Sequence, residues 1–383
     1  MTTYLLAGGG TAGHVNPLLA TADALRERDP AAEIIVLGSR GGLEERLVPA
    51  HGYELKLIEK VPFPRRLNGG ALRFPRRFLH AVRTVRRLIA DRGVGVVVGF
   101  GGYAATPAYV AARRRVPVVV HEANAMPGLA NRLGARWAAR VAVAFSNTPL
   151  PRAVMVGMPL RKQIAQLDRE ALRPEAISYF GLDPHRRTLV VTGGSLGAKR
   201  INDAVREAGA DLTGTPEPAG STQPESAWQV VHIVGQLSPF DDPRLPNYHV
   251  VEYCDRMDLA FAAADLLLSR AGASTVSEIL AVGLPAVYVP YAVGNGEQAK
   301  NIASVIEAGA ARTVSDAQMS AEWIRNELLP LMRDDEAMGQ LATTAAAIGI
   351  NDAAERLAEL IGDATTTEAP RLKNRPGRSR RRS

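Results

Sequence analysis

The chain of 383 residues is long enough for two or three domains, and with 46% apolar and 22% charged residues it has an ordinary globular composition. Its single cysteine, Cys254, excludes an intrachain disulfide framework and any cysteine-based zinc site, and the seven histidines show no metal-ligand spacing. The net charge of +7 is unevenly placed: residues 1–160 carry 22 basic and 10 acidic side chains, residues 161–370 carry 17 and 29, and the tail 371–383 is basic again. That split predicts two domains with different partners, the basic one facing something anionic.

The opening MTTYLLAGGGT lacks the charged n-region of a secretory signal. Short apolar, β-rich runs follow at 4–7, 34–37, 96–98 and 116–120, with amphipathic stretches at 16–28 and 74–91 between them. This alternation predicts βαβ units around a parallel sheet. The uncharged segments 93–112 and 279–296 are long enough to raise the question of membrane spans. Their glycines and Pro107, Pro285 and Pro290 suit strand, loop and helix packed in a core better. After about residue 160 the pattern restarts, with strand-like runs at 188–194, 230–234, 264–269 and 285–290. The fold class expected is α/β: two doubly wound parallel-sheet domains, 1–160 and 161–350, facing across a cleft. The Pro/Ser/Thr-rich segment 213–227 reads as a surface loop. The helical pattern 351–362 packs either on the second domain or back on the first, and 363–383 reads as a disordered basic tail.

Candidate chemistry sits where strands run into glycine-rich loops. In Gly8-Gly9-Gly10-Thr11-Ala12-Gly13-His14 the glycines permit close ligand approach and the helix-start N–H groups suit an anion. His14 suits either a general base or a residue that only holds the loop. Two more loops, at 99–103 and 121–131, should converge on the same cleft wall. There His121, Glu122, Asn124 and Asn131 offer hydrogen bonds to a polyhydroxylated ligand. In the second half, the loop 193–198 with Ser195 could hold a phosphate and Arg161 could supply the cation for a diphosphate. Glu278 could accept two hydrogen bonds from a ribose diol or simply complement its helix dipole, and the Gln298 amide could bind a sugar hydroxyl. No DxD sequence occurs, so the usual carboxylate anchor for a metal-bound sugar nucleotide is missing. Residues 63–87 hold eight arginines and no acid, interleaved with Phe63, Leu67, Leu72, Phe74, Phe78 and Leu79. Phe78, Val82, Val85 and Ile89 recur at helical spacing and account for a buried stripe, but not for the arginines around it. An anionic lipid surface is the expected partner of Arg65, Arg66, Leu72, Arg73, Phe74, Arg76 and Arg77. Nucleic acid is not expected, because no recognisable binding fold interleaves aromatic and basic residues.

Six segments in order, GGGTAGHVNP (8–17), GFGGYAATP (99–107), HEANAMPGLANR (121–132), GGSLGAKRIND (193–203), SRAGASTVSEILAVGLPAVYVP (269–290) and GNGEQAKN (294–301), resemble the MurG family of peptidoglycan N-acetylglucosaminyltransferases. The resemblance implies a GT-B fold of two Rossmann-like domains and an inverting, metal-independent transfer with no cofactor. The donor would be UDP-N-acetylglucosamine (UDP-GlcNAc). The acceptor would be the 4-hydroxyl of lipid I, the undecaprenyl-pyrophosphoryl-N-acetylmuramoyl-pentapeptide, giving lipid II. Carried over by position, Thr11, Ala12, Gly13, Asn124, Arg161, Ser195, Cys254, Ala273, Ser274, Thr275, Glu278 and Gln298 would contact the donor. His14, Tyr103, Glu122 and Asn131 would lie on the acceptor side, with His14 as base and Glu122 next in line. Ala12, Ala123 and Met158 depart from the family's usual glycine, glutamine and asparagine. The resemblance also implies a peripheral protein on the cytoplasmic face of the cell membrane, with anionic inner-membrane lipids, cell-wall synthesis proteins and division proteins as candidate partners. The alternatives are a GT-B transferase for another lipid or natural product, and a UDP-GlcNAc epimerase.

Overall fold

Two all-parallel sheets carry the chain. In the computed structural model, which describes residues 2–63, 69–214, 228–291 and 296–366, the first sheet contains β1 (Thr3–Ala7), β2 (Glu33–Ser39), β3 (Glu54–Ile58), β4 (Val94–Gly99), β5 (Val118–Glu122), β6 (Arg140–Val143) and β7 (Ala153–Met155). They lie in the order β3-β2-β1-β4-β5-β6-β7. The second sheet contains β8 (Arg187–Thr192), β9 (Trp228–Ile233), β10 (Tyr248–Val251), β11 (Leu266–Ser269), β12 (Ala286–Tyr288) and β13 (Arg312–Thr313). Their order is β10-β9-β8-β11-β12-β13. Crossover helices cover both faces of such sheets, so central strands such as VGVVVG in β4 are apolar on both sides rather than alternating.

Strand order reverses direction between β1 and β4 in one sheet and between β8 and β11 in the other. A crevice opens at such switch points, because the loops leaving the two strands diverge to opposite faces. The loops there are Gly8–Thr11 and Phe100–Gly101 in the first domain, and Gly193–Ala198 and Arg270–Gly272 in the second.

The helix after β1 runs over Ala12–Arg28 with Thr11 as its N-cap, four residues ahead of the periodicity read at 16–28. The basic helix is Gly69–Asp91. Its Ala81, Val82, Val85 and Ile89 are buried in the first domain's core, while Phe74 and Phe78 pack at that core's edge. The final helix, Ala353–Thr366, lies against the first domain. Its Leu357, Ala358 and Ile361 share one core cluster with Leu6, Leu18 and Val96. The ends of two expected irregular segments are helical: Thr213, placed in the surface loop, closes the helix Gly209–Thr213, and 363–366, placed in the tail, belong to the final helix. Residues 215–227 and 367–383 lie outside the described residues, as do Arg65 and Arg66.

Candidate active site

A cavity of about 810 Å³ opens between the domains and is lined from both. Every residue expected to face donor or acceptor lines it except His121, which is buried, and Gln298, which lines an adjoining volume of about 1280 Å³ that shares Gly194, Ser195 and Thr275 with it. In that larger volume Asp316 pairs with Arg270 at 2.5 Å and with Arg200 at 3.4 Å. The interdomain cavity is the one lined by loops of both domains.

On the first-domain wall, Thr11 and Ala12 are exposed and the His14 ring is half-buried above them. His14 Nδ1 lies 3.4 Å from Thr11 Oγ1. The Thr11 hydroxyl can donate or accept in that contact, and among the described residues Nε2 has no hydrogen-bond partner; with the proton on Nδ1 it is an open acceptor. Gly101 and Gly102 adopt φ of 95° and 77°, and a Cβ on Gly102 would fall 2.5 Å from the Gly9 carbonyl. The two loops can nest only without that carbon. Tyr103 is 46% exposed at the cavity mouth. The Asn124 amide lines the cavity with no hydrogen bond to it among the described residues.

Two expected ligand contacts are engaged internally. The Glu122 carboxylate is buried and accepts from Asn124 N at 3.0 Å, Gly128 N at 2.9 Å and Asn131 Nδ2 at 3.0 Å. Asn131 is also buried, donates to the His121 carbonyl at 3.0 Å, and accepts from Tyr109 Oη at 2.7 Å. These two side chains shape the 122–131 loop from within rather than presenting free groups to a ligand. β5 continues through Glu122, so His121 and Glu122 are strand residues and not loop residues, and Asn131 lies on the buried side of the short helix Leu129–Gly134. The His121 ring is likewise buried, with Nε2 3.0 Å from the Gly157 carbonyl. Burial pushes its pKa down to about 4.

On the second-domain wall, the helix Ala273–Ala281 begins after Gly272 and has no acid in its first turn. Its leading N–H groups, at Ala273, Ser274 and Thr275, lack intrahelical acceptors and carry the positive end of the helix dipole. Arg161 reaches this wall, with Nη2 3.7 Å from Glu278 Oε1 and a buried Nε that has no partner. Burial raises the Glu278 pKa, and the Arg161 guanidinium draws it back. Ser195 is exposed at the tip of its loop. The Cys254 thiol, pushed up to about 11 by burial, is a neutral lining group. Gln298 Oε1 accepts from Ala271 N at 3.2 Å and Tyr291 N at 2.9 Å, which leaves its amide nitrogen for a ligand.

Two buried side chains that sequence reasoning passed over hold these walls. Asn301 accepts from Ala125 N at 2.9 Å in the first domain and donates to the Ala271 carbonyl at 3.3 Å in the second, tying the loops across the cleft. Glu44 underlies the first glycine loop, accepting from Gly10 N at 2.8 Å. In the basic segment, Leu72 is 86% exposed and Phe63, 45% exposed, lines the cavity. Arg77 is part of the fold instead: it donates to the Lys60 carbonyl at 2.9 Å and lies 3.5 Å from Glu59.

The chain matches the models of the glycosyltransferase family 28 N-terminal domain over residues 4–143 and its C-terminal domain over residues 188–357. A curated relative from Clavibacter sepedonicus, named UDP-N-acetylglucosamine–N-acetylmuramyl-(pentapeptide) pyrophosphoryl-undecaprenol N-acetylglucosamine transferase, is 56% identical over 97% of this chain and 99% of its own. A relative of the same name from Streptomyces coelicolor is 45% identical over 96% and 99%. Among solved structures, Acinetobacter baumannii MurG superposes with a TM-score of 0.75 at 27% identity, covering 95% of this chain and all of its own. The UDP-GlcNAc 2-epimerase from Neisseria meningitidis, at 13% identity and a TM-score of 0.66, shares the fold alone. With both family domains seated on the two sheets and relatives this similar along nearly the whole chain, the protein belongs to the MurG family within glycosyltransferase family 28.

Proposed function

We propose that this chain transfers N-acetylglucosamine from UDP-GlcNAc to the 4-hydroxyl of the muramoyl sugar of lipid I, forming lipid II. The observation that carries the site assignment is one cavity with complementary walls. An imidazole with an open Nε2 stands on one side, and an incompletely paired guanidinium beside a helix start stands on the other. Arg161 and the N–H groups of Ala273–Thr275 hold the donor diphosphate, Glu278 accepts from the ribose, and Asn124 and the Gln298 amide orient the sugar. As the acceptor oxygen bonds to the anomeric carbon, the bond from that carbon to UDP breaks and the hydroxyl proton passes to His14. The charge that develops on the departing UDP is stabilised by donors already in place. Glu122 and Asn131 keep the acceptor-side loop in shape.

The lipid substrate requires contact with a bilayer. No helix among the described residues is long and apolar enough to cross one. The protein works as a peripheral enzyme on the cytoplasmic membrane face, docked through the basic segment. Arg73 and Arg76 are exposed and form no ion pair among the described residues, and Phe63 joins this surface to the cavity that holds His14. Each such arginine adds about 1 kcal/mol toward anionic lipid.

The test is incubation with labelled UDP-GlcNAc and lipid I in EDTA, followed by analysis for a disaccharide lipid. Product is expected without added metal. Absence of the disaccharide lipid would overturn the assignment, and activity that returned only with magnesium would overturn the metal-free mechanism.

A further inference from the structure

Glu44 is completely buried at the start of the short helix Glu44–Ala50, and among the described residues no cation pairs with it. A carboxylate in that position is costly unless donors surround it. Here Oε2 accepts from Gly10 N at 2.8 Å, while Oε1 accepts from Ser39 N at 2.9 Å and Ser39 Oγ at 3.2 Å. Space for it is cleared by three glycines, one in the loop after β1 and two in β2 and the connection that leads from it to Glu44 itself. A Cβ built on Gly9, Gly38 or Gly42 would fall within 2.5 Å of the Glu44 side chain. All three partners are donors, so the site fits an acceptor-only group and not an amide.

What the carboxylate holds is the loop under His14. Gly9 and Gly10, with φ of 151° and 95°, carry the chain from β1 to Thr11, the cap of the helix on which His14 stands. Gly102 of the neighbouring loop packs directly onto Gly9. The Gly10 N–H, two residues ahead of the helix, is therefore engaged by an internal carboxylate. We propose that Glu44 is a positioning residue. Its buried carboxylate fixes Gly10, and through Gly10 it sets where Thr11 and the His14 ring meet the acceptor. The inference rests on the role given to His14 above.

Two variants of the full-length protein test it. Glu44→Gln replaces one acceptor oxygen by a donor. Gly42→Ala keeps the charge and all three donors but displaces the carboxylate. For each, kcat and KM are measured with UDP-GlcNAc and lipid I, UDP affinity by calorimetry, and amide hydrogen exchange by mass spectrometry. Both variants should lose roughly 10- to 100-fold in kcat, as expected when a catalytic group is misplaced by about an ångström. UDP affinity should stay within about twofold, because the groups proposed to hold UDP stand on the second-domain wall, whereas the loop over Glu44 would reach only the donor's sugar. Faster exchange should be confined to peptides spanning 8–18 and 38–44. A general structural defect would weaken UDP binding along with kcat and would overturn the proposal, as would unchanged exchange at 8–18. Faster exchange there with normal kcat would overturn the role of His14 instead. Should Glu44→Gln fail to fold, Gly42→Ala carries the same readouts alone.

Discussion

Arg161 and Glu278 meet as a loose ion pair, 3.7 Å from Nη2 to Oε1, at the point where the donor's diphosphate and ribose would lie. Burial raises the pKa of Glu278 and Arg161 lowers it. Arg161→Ala therefore does two things at once. It removes a charge-assisted contact to phosphate, worth about 1.5–3 kcal/mol, or roughly 10- to 150-fold in Kd for UDP. It also leaves Glu278 under burial alone, so the carboxyl keeps its proton to higher pH and weakens as a ribose acceptor. Glu278→Ala should cost a similar amount by itself. Because Arg161→Ala already weakens Glu278 as an acceptor, the double variant should fall short of the sum by at least about 0.5 kcal/mol. The assay is titration calorimetry of UDP with the four proteins at pH 8 and again at pH 6. On acidification the Arg161→Ala protein should lose affinity before the parent does, since its Glu278 protonates first. Additivity within about 0.3 kcal/mol, or pH profiles that coincide, would refute the coupling.

Other outcomes follow from the same geometry. His14→Ala should lower kcat by roughly 10²-fold or more while UDP affinity stays near that of the parent, and normal turnover across the pH range would remove His14 as the base. Burial holds His121 at a pKa of about 4 and His232 at about 3, so the unfolded chain takes up their protons first on acidification. Stability, full above about pH 6.5, should fall towards pH 4 by up to ~1.4 kcal/mol per pH unit for each histidine; urea midpoints that match at pH 7.5 and 5 would contradict this. Replacing Arg65, Arg66, Arg73 and Arg76 with Ser should weaken binding to anionic liposomes by roughly 10³-fold in low salt, with turnover of a short-chain soluble acceptor nearly kept. Unchanged co-sedimentation of that variant, with the tail also deleted, would rule out this docking surface.

The central strands were legible because burial on both faces writes them as unbroken apolar runs: YLLA in β1, IIVL in β2, VVV in β4. The peripheral strands carry no such signature. β3 reads ELKLI with a partly exposed face, all three residues of β7 are exposed, and β13 is the dipeptide Arg312–Thr313. Such strands are recruited by a neighbour's edge and not by their own composition. The cavity lining was visible for a related reason, since glycine loops at strand ends announce themselves locally. Glu44 and Asn301 did not, because each acquires meaning from a distant partner. Gly10 is 34 positions from Glu44, and Ala125 is 176 from Asn301. For Glu122 and Asn131 the residue types pointed to the right loop, but their hydrogen bonds turn inward, which no spacing rule conveys.

The final helix gives the molecule an unusual order of assembly. Synthesis from the N-terminus produces the first sheet early, yet Leu357 and Ile361, which fill the core beside Leu6 and Leu18, are made almost last. Each is fully buried, and burying such a side chain contributes about 1.5–3 kcal/mol, so the pair alone accounts for a large part of a domain's usual 5–15 kcal/mol. The core of the half that leaves the ribosome first is therefore complete only when the half that leaves last has been made, while the intervening sheet has all its strands before the helix. A premature stop near residue 350 would spare every residue of the second sheet and every cavity-lining residue. It would nonetheless strip several kcal/mol from the first domain, at the opposite end of the gene from the lesion.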